Sequence, residues 1–147
     1  MNKILQLSII PSSTNFALLV LRLWLGLALF FNHGLGKLRN FSAMAGKLPD
    51  PLHIGANANM ALIVFAEVVC AAMVVVGVGV RFAALVISIE LLIAFFAVHH
   101  HALAMGPGSG ELPFVYLAGF VTILLAGGGR YVMCNKSNAV PAEPAAA

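Results

Sequence analysis

The stretch NMALIVFAEVVCAAMVVVGVGV, residues 59–80, contains one charged residue, Glu67, in an otherwise apolar run. About 20 consecutive apolar residues suffice to cross the hydrocarbon core of a bilayer as a helix. Three more runs of this kind flank it, at residues 16–35, 82–101 and 112–132. Away from the run ends, the only charges within them are Arg22, Glu67 and Glu90. In lipid, backbone polar groups must be satisfied internally, which favours helices. The expected fold is all-α, a four-helix transmembrane bundle. A single membrane domain is expected over residues 1–135, with a disordered Pro- and Ala-rich tail over 136–147.

Composition points the same way. Of the 147 residues, 61% are hydrophobic and 9% charged, whereas a soluble domain carries about 25% charged residues. The net charge of +3 comes from Lys and Arg spread along the chain with no basic run, which argues against a nucleic-acid partner. Cys70 and Cys134 make neither a disulfide framework nor a C-x-x-C pair. Lys3 followed by Ile4 to Ile10 faintly resembles a signal peptide. Pro11 interrupts it and no cleavage pattern follows, so an uncleaved interfacial lead-in is expected.

The connections are expected at residues 36–58, 77–81 and 104–111. Pro49-Asp50-Pro51 disfavours continued helix in the longest of them. With the amino terminus inside, Lys3, Arg81, Arg130 and Lys136 face Lys37, Arg39 and Lys47 across the membrane. The positive-inside rule then narrowly favours both termini in the cytoplasm.

A charge inside the bilayer must turn toward other helices or water and find partners. Arg22, Gly26, Leu29, His33 and Lys37 share one helical face, and Met60, Val64, Glu67, Cys70 and Val74 share another. Ala83, Glu90, Ala94, Ala97 and His101 make a third stripe. Tyr116, Gly119, Ile123, Ala126 and Arg130 make a fourth. Depth suggests pairing Arg22 with Glu90, and Lys37 or His33 with Glu67, with Arg22 to Glu67 as an open alternative. The candidate intramembrane polar site is Arg22, His33, Lys37, Glu67, Glu90, His100 and Tyr116. Such pairs serve either to fix helix register or to line a pocket for a proton, a quinone head group or a small anion. No catalytic spacing is recognisable.

His99-His100-His101 does not read as a metal site, because adjacent helical residues point about 100° apart. A metal or haem site joining one of them to His33 or His53 is the minority reading. Gly127-Gly128-Gly129 looks like a helix end rather than a nucleotide fingerprint, which needs a preceding strand.

Several of these residues together resemble the DoxX family of small bacterial membrane proteins. They are Arg22 with Gly26, His33-Gly34-Leu35-Gly36-Lys37-Leu38 with Phe41, Glu67, Gly77-Val78-Gly79-Val80-Arg81, His99 or His100, Glu111 to Tyr116, and Gly128-Gly129-Arg130-Tyr131. The resemblance runs over about residues 14–134. It departs at Val132-Met133-Cys134, where the family often has Ser-Leu-Asp. It implies a four-helix protein of the bacterial inner membrane, linked to oxidoreductase systems such as thiosulfate:quinone oxidoreductases and oxidative-stress complexes.

The expected function is therefore a DoxX-like subunit or accessory of a quinone-linked membrane redox system, rather than a self-sufficient oxidoreductase. Its expected partners are the lipid bilayer, a membrane redox protein and a second copy of itself; quinone is the cofactor to consider. The rivals are a non-catalytic assembly protein and, further behind, a small-solute carrier.

Overall fold

The computed structural model describes residues 13–100, 102, 103, 106 and 108–133. The amino-terminal lead-in, His101, Cys134 and the tail over 136–147 lie outside the described residues. Every regular element among those described is helical. Three helices are long and apolar enough to cross a membrane: α1 (Thr14–Arg39), α3 (Ala56–Val76) and α4 (Val80–Val98). A short α2 (Phe41–Ala45) follows α1, and the shorter apolar α5 (Glu111–Ala126) completes the set.

Local chemistry explains where these helices stop. Ser13 caps α1 by accepting a hydrogen bond from the Phe16 amide at 3.3 Å. α1 runs past the expected exit at residue 35 because nothing before Asn40 breaks it, so Lys37 is a helical residue. Gly77 ends α3 in the left-handed region, at φ 88°, where a side chain would be strained. The turn is tight, and α4 starts at Val80. In the long connection, Asp50 accepts amide hydrogen bonds from Ile54 and Gly55, and Asn59 donates to the Pro49 carbonyl at 2.9 Å. α5 ends at Ala126, earlier than the run to residue 132 suggests, because the three glycines that follow do not continue it.

The three long helices each contain one wide, π-type turn, closed by a bond from residue i+5 back to residue i. The bonds run from Leu35 to Phe30, from Ala71 to Ala66 and from His99 to Ala94. Such turns are rare and often mark functional sites.

One core unites the long helices and α5 around Leu29, Cys70, Val74, Ile87, Phe120 and Ile123. A second, smaller core places α2 over the start of α3 through Ala45, Met60 and Val64. Large apolar side chains such as Phe16, Trp24, Phe31 and Phe82 point outward, as expected where the surrounding solvent is lipid.

On α1 and α3 the anticipated faces turn inward. Arg22, Gly26 and Leu29 are buried, as are Met60, Val64, Glu67, Cys70 and Val74. The α4 stripe needs correction. Its buried line is Ala83, Ala84, Ile87, Ser88, Leu91 and Phe95, whereas Glu90 and Ala94 are half-buried and Ala97 is exposed. On α5, Tyr116, Phe120 and Ile123 are buried, while Ala126 and Arg130 are exposed.

Candidate functional site

Lys37 and Glu67 form an ion pair between the end of α1 and the middle of α3. The Glu67 side chain is 5% exposed and that of Lys37 18%, so the pair is largely withdrawn from its surroundings. Two features let α1 and α3 come this close. Gly34, one turn before Lys37, packs directly on the α3 backbone. A Cβ there would stand 2.6 Å from the Glu67 carbonyl oxygen and 2.8 Å from Val68 Cγ2. The second feature is the wide turns themselves. On a regular helix Lys37 would sit about 60° round from Arg22; the wide turn over Phe30–Gly34 changes that register.

The pair opens onto a cavity of about 310 Å3, also lined by His33, Glu90, His99, Ser109 and Tyr116. His33 and Tyr116 meet edge to face, with ring centroids 5.8 Å apart. The His99 Nδ1–H donates to the Gly108 carbonyl at 2.8 Å, fixing the ring at the cavity mouth. Among the described residues, Glu67 Oε2 and Glu90 Oε2 are buried without a hydrogen-bond partner. A buried carboxyl oxygen left unpaired is costly, so the cavity offers two acceptor positions beside an ammonium, two imidazoles and two hydroxyls.

The structure thus brings His33, Lys37, Glu67, Glu90 and Tyr116 to one cavity and leaves two expected members outside it. His100 is exposed, at φ 48°, because α4 ends at Val98 and the chain turns; His99 takes its place. Arg22 does not pair with Glu90 or Glu67. Its guanidinium donates instead to the backbone carbonyls of Val74 at 3.0 Å, Tyr131 at 2.8 Å and Gly128. It is 1% exposed and fastens the segment after α5 to the end of α3. Ser109 escaped the sequence reading, and His99 entered it only through the histidine triplet and the family resemblance, because both lie between α4 and α5, where helical periodicity carries no information.

Among the described residues, no group of three or more His, Cys, Asp and Glu side chains is placed to hold a metal ion. His53 is exposed in the long connection. Cys70 is buried and free in the core.

Fold and site together define a multi-pass helical membrane protein with a polar cavity among its helices. Comparison with family profiles matches DoxX over residues 17–100, more than half of the chain. The chain belongs to the DoxX family. The matched residues take in Arg22, His33, Lys37, Glu67 and Glu90, and stop short of α5. Comparisons with curated proteins and with solved structures find no match.

Proposed function

We propose that this protein is a membrane-embedded subunit of a redox system and holds the ring head group of a quinone in the Lys37–Glu67 cavity. The observation that carries this reading is the ion pair between two helices long and apolar enough to cross a membrane, beside a cavity and with carboxyl oxygens that have no partner among the described residues. Ionisable groups among membrane-crossing helices mark substrate, ion or proton pathways. The volume of about 310 Å3 lies at the lower end of small-molecule sites, enough for a ring but not for a long tail.

The donor set fits this group. Lys37, Tyr116 and Ser109 would donate to ring carbonyl oxygens, and Glu67 and Glu90 would accept from the hydroxyls of the reduced ring. When bound, a quinone supplies two-electron, two-proton redox chemistry. The chain's own part is to bind, to orient and to keep proton-exchanging groups within reach. α5 acts as the fourth crossing, and both termini face the cytoplasm of the bacterial inner membrane. A partner redox protein supplies or withdraws electrons.

Purification from native membranes in mild detergent, followed by lipid extraction and mass spectrometry, tests this. Quinone near one per protein is expected for the wild type, with most of it lost in Glu67→Gln and Lys37→Met variants that remain folded. Wild-type quinone no higher than in an unrelated membrane protein prepared alongside overturns the reading.

A further inference from the structure

Glu90 faces two spaces. Besides the polar cavity, it lines an apolar groove of about 220 Å3 between α3 and α4. The groove walls are Ile63 and Phe65 on α3 and Ile89 and Ile93 on α4, and Leu52 of the long connection covers one end. That connection is held in place by the Asn59 side chain on the Pro49 carbonyl. Ile89 is 50% and Phe65 40% exposed, so the groove opens on the surface that a bilayer surrounds. Ala94, the first residue of the wide turn in α4, borders both spaces.

We infer that this groove seats the hydrocarbon tail of a membrane-resident amphiphile whose polar end meets the Glu90 carboxyl group. The occupant follows from the gradient along the groove. Its lining is almost wholly apolar, with Phe65 and Ile89 exposed on the face that a bilayer would surround, where molecules dissolved in the bilayer reach it. Glu90, which also lines it, carries a carboxyl oxygen buried without a partner among the described residues, which calls for a hydroxyl-bearing head. An ordinary acyl chain lying in the groove leaves that oxygen unsatisfied. The inference rests on the cavity reading and adds a tail site and a sideways entrance through the α3–α4 face.

The test uses a benzoquinone ring in its reduced, hydroxyl-bearing form, with a decyl tail and a photoreactive diazirine at its end, incubated with the full-length protein in lipid nanodiscs. After illumination, mass spectrometry should locate adducts on Ile63, Ile89 and Ile93 or their immediate neighbours. An excess of the same molecule without the diazirine should remove them. Ile89→Trp, a change at an exposed position, should abolish the competed adducts, and Ile63→Trp provides a second obstruction from the opposite wall. In both variants, binding of the tail-less ring should persist. Adducts scattered over all lipid-facing helices and insensitive to competitor overturn the groove while leaving the cavity reading intact. Competed groove adducts that survive Glu67→Gln while the tail-less ring fails to bind wild type sink the cavity reading instead. Failure of both measurements removes both.

Discussion

At Glu67 a single side chain holds an ion pair with one oxygen and leaves the other without a partner among the described residues. Removing one member of such a pair strands a charge that has lost its partner, whereas removing both replaces the pair by apolar surface. Glu67→Leu and Lys37→Met are therefore expected each to destabilise the protein by about 3 kcal/mol, the lower end of the usual range because Lys37 is partly exposed. The double variant is expected to recover most of that loss. Thermal unfolding in detergent, arranged as a double-mutant cycle, checks it; additive losses would show that the two charges do not depend on one another. This pairing was legible in the sequence because Lys37 and Glu67 lie on inward faces set by local periodicity. The partners of Arg22 were not legible. They are backbone carbonyls, three of which, at Gly128, Tyr131 and Val74, lie at or beyond helix ends, and no side-chain pattern advertises a carbonyl.

The helices were readable wherever 3.6-residue periodicity persisted and misread where it was interrupted. The inward faces of α1 and α3 follow the apolar and polar spacing directly. On α4 the expected line through Glu90, Ala97 and His101 gives way to one through Ile87, Leu91 and Phe95. Small residues (Ala83, Ala84 and Ser88) share the interior of the first half of α4 with Ile87, and the larger Leu91 and Phe95 fill it further on. The wide turns have no composition of their own, so the shift in register they introduce is invisible before the fold is known. α1 and α3 approach closely at Gly34. Gly34→Ala is expected to cost about 1–3 kcal/mol, because its Cβ would collide with backbone that has nowhere to go. Gly36→Ala, two residues on, would meet nothing within 4 Å and is expected to be neutral or stabilising by up to about 1 kcal/mol. Comparing their melting temperatures separates helix propensity from helix contact. Equal shifts would contradict the close approach of α1 and α3.

For the molecule as a whole, the hydropathy of the runs announced a helical membrane protein, and the family match over residues 17–100 agrees with it. The extent of α5 did not emerge as cleanly. Its 16 residues span only about 24 Å at 1.5 Å each, against a hydrocarbon core of about 30 Å. With α5 as a crossing, Ser109 and Arg130 lie on opposite sides of the membrane and Ala43 shares the side of Ser109. Single cysteines at these positions, in a variant lacking Cys70 and Cys134, are expected to react with an impermeant maleimide in intact cells at residues 43 and 109 but not at 130. Equal reactivity at 109 and 130 would leave α5 lying on one face. The clasp made by Arg22 also has a bearing on biosynthesis. Its donor belongs to the earliest long helix and two of its acceptors, Gly128 and Tyr131, follow the latest one. Until those carbonyls are made, the guanidinium of a nascent chain has only the α3 carbonyls of Val74 and Val75 to donate to. Chains halted before residue 128 leave the Arg22 Nη1 donors without the two acceptors that the finished molecule gives them, so the clasp closes only at the end of synthesis.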